Sequence, residues 1–117
     1  MAGEQLNPEL ERDIVEYQNA ERQLQSVLLQ KHQIQLQLNE ITLALEEIVK
    51  AKGEVYKATG SILVKTTKDD AEKDLKEKKD LFDIRVKALA NQEEKMKNIL
   101  VKLQQKIEAA SKGYGIN

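Results

Sequence analysis

Apolar residues recur along most of this chain with a seven-residue period. In the first half, one register puts Leu10, Tyr17, Leu24, Lys31, Leu38 and Leu45 at its a positions. The same register puts Asp13, Ala20, Val27, Ile34, Ile41 and Ile48 at its d positions. All but Asp13 and Lys31 are apolar or Tyr. A seam sustained this long predicts a helix of a coiled coil. Asn7 suits the N-cap and Pro8 the first helical position, where its missing N–H costs nothing. Gly53 suits the left-handed residue past the C-terminus. The pattern therefore predicts a first helix over residues 8–51.

The second half repeats the period. Leu75, Phe82, Leu89, Met96, Leu103 and Ala110 fall at d, and Glu72, Lys79, Val86, Glu93, Leu100 and Ile107 at a. Thr67, with Asp70 three residues on, makes a capping-box-like start. This predicts a second helix over 68–111 and a flexible tail over 112–117, with a frayed start before Asn7.

Between the helices the pattern changes to that of a strand pair over 54–66. β-Branched residues cluster there around Thr59-Gly60, the candidate turn. A turn at that dipeptide pairs Lys57 with Ile62, Tyr56 with Leu63 and Val55 with Val64. One face then carries Tyr56, Ala58 and Leu63, and the other Val55, Ile62 and Val64. Both are largely apolar. A lone hairpin is marginal in water, and its free edges offer unpaired N–H and C=O groups. The hairpin is therefore expected to join hairpins of other chains. The alternative is a hairpin folded down onto its own helices.

Two helices of near-equal length joined by a tight reversal must run antiparallel. That places Leu10 near Ala110, Tyr17 near Leu103 and Leu24 near Met96. It also brings Lys31 and Glu93 close at the seam, where a buried charge is costly unless paired. The two are expected to pair and fix the register. The fold class is mostly α: a long antiparallel two-helix coiled coil joined by a single central β-hairpin. Leu29, Leu36 and Leu43 fall at successive f positions, opposite the seam. They form either a second contact surface or three tolerated surface leucines.

Composition narrows the function. Charged residues make up 33% and aromatic residues 3%, as expected for long helices rather than a globular core. The formal net charge is -1, with acids and bases interspersed. No basic block suggests nucleic acid or an anionic membrane. There is no Cys, so neither a disulfide nor a thiolate metal site is expected. The N-terminus lacks the pattern of a signal peptide, and no apolar run approaches the roughly 20 residues of a membrane span.

Candidate chemistry is sparse. No Gly-rich phosphate loop occurs. His32, the only histidine, lies at an outer helix position. Adjacent carboxylates such as Glu46-Glu47 and Glu93-Glu94 diverge on a helix and lack an enclosed apolar setting. No catalytic residue, metal site or cofactor is expected, and the function is mechanical or adhesive rather than enzymatic.

The order helix–hairpin–helix and two segments carry a resemblance. They are Leu38-Asn39-Glu40-Ile41-Thr42-Leu43-Ala44-Leu45-Glu46-Glu47-Ile48 and Val55-Tyr56-Lys57-Ala58-Thr59-Gly60-Ser61-Ile62-Leu63-Val64-Lys65. Together they closely resemble the archaeal prefoldin family in its β class, over residues 7–111. A single hairpin matches the β class rather than the α class. The resemblance implies a cytoplasmic hexamer of two α and four β subunits, with the hairpins building a β-barrel body. It implies an ATP-independent holdase that captures unfolded proteins at the coiled-coil tips and hands them to a group II chaperonin. Carried over by position, Val55, Tyr56, Gly60, Ile62, Leu63 and Val64 form the assembly hairpin. Leu10, Ile14, Val15, Tyr17, Ile99, Leu103 and Ile107 form the client-binding tips. The competing readings are a structural coiled-coil tether and a homo-oligomeric filament-forming member of the same fold.

Overall fold

A computed structural model describes residues 7–113. The expected frayed start and residues 114–117 of the expected tail lie outside the described residues. Four elements follow in order: α1 (Pro8–Lys50), β1 (Val55–Thr59), β2 (Ile62–Thr66) and α2 (Lys68–Gly113). Two long helices flank one antiparallel strand pair, the mostly helical architecture that the heptads predict.

The caps explain where the helices start. The Asn7 side-chain carbonyl accepts the Leu10 N–H at 2.8 Å, and the Thr67 hydroxyl accepts the Asp70 N–H at 3.1 Å. Each satisfies one of the orphan donors of a first turn.

The end of α1 differs from expectation. The helix stops at Lys50, and Gly60 is the only described glycine with positive φ. Gly53 is therefore not a left-handed cap. Lys68 caps the helix instead. Its ammonium donates to the Val49 carbonyl at 2.9 Å and to the Ala51 carbonyl at 3.5 Å. A cation beside the last carbonyls satisfies orphan acceptors and suits the negative end of the helix. With the cap supplied from the start of α2, no glycine turn is required.

The hairpin register also differs. Thr59 pairs with Ile62, Ala58 with Leu63, Lys57 with Val64, Tyr56 with Lys65 and Val55 with Thr66. The central turn residues are Gly60 and Ser61, not Thr59 and Gly60. Gly60 has φ 61°, and no non-glycine residue among those described has positive φ. Positive φ at the first central position alone is the type II′ pattern. The expected register would have put Thr59, a β-branched residue, at that strained position. Each residue keeps its predicted face, because the change moves partners by two positions along the strand and side chains alternate with period two.

The chain divides into two compact units. Of the described residues, one holds 7–30 and 89–113, and the other 31–88. In the first, called the distal unit because in sequence it lies farthest from the hairpin, Leu10, Ala20 and Val27 of α1 and Leu89 and Leu103 of α2 are buried. Asp13 is buried among them and reaches Lys106 at 3.2 Å, while Val27 lines a groove with Met96, so the two helical segments run antiparallel. In the second, the hairpin unit, Leu38 and Ile41 are buried. Within each unit, every a and d residue of the two registers is buried or half-buried. That is the 3.5-residue periodicity expressed as packing.

Candidate functional site

The hairpin presents more apolar surface than a two-stranded sheet can cover. Ile62 is 64% exposed and Leu63 69%, on opposite faces. Val64 and Tyr56 are also exposed, and of the apolar strand residues only Val55 is half-buried. The sheet holds two strands, so the outer edges of β1 and β2 carry no ladder partner among the described residues. The hairpin is not folded flat onto its own helices. An ion pair from Lys57 to Asp74 at 3.1 Å ties β1 to α2. A groove of about 270 Å³ lies beside it, lined by Ala44, Ile48, Ala71 and Leu75 with β1 residues.

Charges brace the strand ends. Lys65 reaches Glu54 at 3.1 Å, and the Tyr56 hydroxyl donates to the same carboxylate. The Tyr56 bond first, and the Lys65 bond second, hold the Glu54 carboxyl below its usual range. The same bond to Glu54 holds the Tyr56 hydroxyl above its usual range. A hydrogen bond to the charged acceptor favours that charged form, which is the cause of both shifts.

The distal unit sorts the predicted tip residues into three classes. Leu10, at 2% exposure, and Leu103 lie in the seam. Ile14, Tyr17 and Ile107 are half-buried. Val15 and Ile99 are exposed, as is Val101 beside them in sequence. The half-buried three come together. Ile14 and Tyr17 from α1 and Ile107 from α2 line one open groove of about 360 Å³, with Gln18, Glu21, Gln104 and Glu108 on its rim. They converge because a and e residues of antiparallel partners flank the same side of a seam. A second groove of about 320 Å³ lies over Val27 and Met96, with Lys95 on its rim.

The two expected seam charges fall in different units. Lys31 is half-buried in the hairpin unit. Glu93, in the distal unit, accepts from Lys97 of its own helix at 2.7 Å. The interhelical ion pair that spacing did not single out is Asp13 with Lys106. Its one signal was an acid at a d position. Leu29, Leu36 and Leu43 are exposed, and so are Val49, Leu81 and Ile84, which the heptad reading passed over. Among the described residues, no helix is long and apolar enough to cross a membrane.

Comparison with known proteins agrees with this geometry. A family model described as "Prefoldin subunit" matches residues 11–114. The curated prefoldin subunit beta of Archaeoglobus fulgidus is 41% identical over 106 residues, covering 89% of this chain and 91% of that one. The prefoldin subunit beta of Methanocella arvoryzae is 43% identical over a shorter stretch of 49 residues, 42% of this chain and 39% of that one. The crystal structure of the prefoldin beta subunit from Thermococcus strain KS-1 superposes with a TM-score of 0.82 at 37% identity. It covers 91% of this chain and 95% of that one.

Proposed function

This chain belongs to the prefoldin family, a family of non-enzymatic chaperone subunits, and from that membership we propose that it is a β-type subunit of an ATP-independent holdase. It assembles through its hairpin into a hexamer with two α and four β chains, the hairpins closing a β-barrel body. It binds unfolded proteins through the apolar residues of its distal unit and passes them to a group II chaperonin. The compartment is the cytoplasm.

One observation carries the reading: Ile62, Leu63 and Val64 are exposed on both faces of a sheet whose outer edges are open. Closing such sheets into a barrel pairs the open edges and buries the apolar face that turns inward. Burying one such aliphatic side chain stabilises by about 1.5–3 kcal/mol.

The binding end follows from the same logic. Ile14, Tyr17 and Ile107 are reachable without opening the seam, and Val15, Ile99 and Val101 stand in solvent. Contacts of this size are individually weak. Repeated over several linked subunits, they gain avidity without demanding a particular client sequence. Leu10 and Leu103 join only if the ends of the helices part. Helix ends are where local opening costs least.

Mass measurement in solution tests the assembly. The chain mixed with a prefoldin α subunit is expected to give a hexamer of two α and four β chains. A monomer in the mixture would contradict the reading. A filament of this chain alone would favour the homo-oligomeric form of the same fold.

A further inference from the structure

The distal groove carries a charge pattern as well as an apolar floor. Its floor is Ile14, Tyr17 and Ile107, and its rim holds two carboxylates, Glu21 and Glu108, with no basic residue among the lining side chains. Both glutamates are exposed. Glu21 has no ion pair among the described residues. Among the described residues Glu108 accepts a hydrogen bond from the Gln104 amide at 3.3 Å and has no ion pair. Tyr17 puts an aromatic ring among the lining residues, and aromatic rings attract cations.

We propose that this groove selects client segments in which an apolar side chain stands next to Lys or Arg. This rests on the holdase reading and adds the client's chemistry to it. At about 360 Å³ the groove is at the small end of binding clefts, suited to one apolar side chain and its neighbours rather than a folded surface. The apolar side chain lies on Ile14 and Ile107. The neighbouring cation meets Glu21 at one end of the groove or Glu108 at the other, with Tyr17 between them. An acidic neighbour meets a like charge at either end and is repelled. The groove over Val27 and Met96 has Lys95 on its rim and no carboxylate, so it has no part in this preference.

The test uses the assembled complex and two fluorescein-labelled synthetic peptides. They share one sequence of leucines and phenylalanines and differ only in carrying Lys or Glu beside each apolar residue. Fluorescence anisotropy is expected to give the Lys peptide at least about 5-fold tighter binding at low salt, a preference that fades as salt screens exposed charges. In E21Q/E108Q the preference is expected to disappear while apolar binding persists. Both substitutions lie on exposed positions and keep a hydrogen-bond acceptor at residue 108, so the fold does not depend on them. Equal binding of the two peptides, or a preference that survives E21Q/E108Q, overturns the selectivity but leaves the holdase reading standing. Binding of neither peptide by the wild-type complex overturns both.

Discussion

Asp13 and Lys106, separated by 93 residues in sequence, meet at 3.2 Å and join the two helical segments of the distal unit. The carboxylate is buried and the ammonium is half in solvent, with side-chain exposures of 8% and 54%. The two partners therefore differ in what their loss costs. K106A leaves a buried carboxylate without its cation and is expected to lower stability by about 1–2 kcal/mol, a buried-pair cost discounted for the exposed partner. D13L places an apolar residue at a d position and is expected to match or exceed the wild type. Hydrogen exchange over residues 10–17, with thermal unfolding, reads both. Equal losses for the two variants would show that the pair stabilises the distal unit in another way.

A carboxylate at Ile62 or Val64 should separate folding from assembly. Neither residue contributes to a helix seam, so I62D and V64D are expected to keep their helical circular dichroism. In an assembled sheet each would bury a charge at a cost of several kcal/mol. Sedimentation velocity is expected to show the complex dissolved. An undisturbed hexamer would mean that this face of the hairpin is not the contact.

Gly60 tests the turn itself. Its φ is 61°, and a Cβ placed there would meet nothing within 4 Å. The penalty of G60A is therefore backbone strain alone, about 1 kcal/mol for an L residue in the left-handed region. The complex of G60A is expected to dissociate at a lower denaturant concentration. A D-alanine at the same position should restore it. A G60A complex as stable as the wild type would contradict the turn geometry.

The strand ends should respond to pH through one hydrogen bond. The folded Glu54 carboxyl titrates below its ordinary range. Its contribution is therefore present above that ordinary range and is lost as pH falls through the lowered value. The folded Tyr56 hydroxyl titrates above its ordinary range. Its contribution is present below the ordinary tyrosine pKa and is lost as pH rises through the raised value. Ultraviolet titration is expected to give Tyr56 a higher midpoint in the wild type than in E54Q. Identical midpoints would show that the bond does not form in solution.

The helices were legible in the sequence because a seven-residue period leaves little choice of face. Even Asp13, Lys31 and Glu93, the polar exceptions, sit where the register puts them. The hairpin was legible in location and in its two faces. Its turn was not, because both registers assign the same residues to the same faces, so the hydrophobic pattern does not discriminate between them. What decides is that Gly, not Thr, tolerates positive φ at the first central position. The Lys68 cap was hidden because it comes from 17 residues beyond the carbonyl of Ala51 that it serves. Lys106 was hidden because it lies at a g position, outside the a and d rows. The groove of Ile14, Tyr17 and Ile107 joins e and a residues of two helices. Periodicity named those residues individually, but only their packing brings them to one place.

The most direct test of client capture at the distal unit removes the binding end and keeps the assembly. Deleting residues 1–17 and 102–117 takes away Leu10, Ile14, Val15, Tyr17, Leu103 and Ile107 and leaves the hairpin unit untouched. The truncated chain is first shown by sedimentation to assemble with its α partner. It is then mixed with an unfolded protein diluted from denaturant, and light scattering follows aggregation. The expected result is an intact oligomer that no longer suppresses scattering. Full protection by the truncated complex would contradict capture through Leu10, Ile14, Val15, Tyr17, Leu103 and Ile107 and move client binding to the apolar residues that remain exposed, Ile99 and Val101 in the distal unit or Leu36 and Leu43 in the hairpin unit.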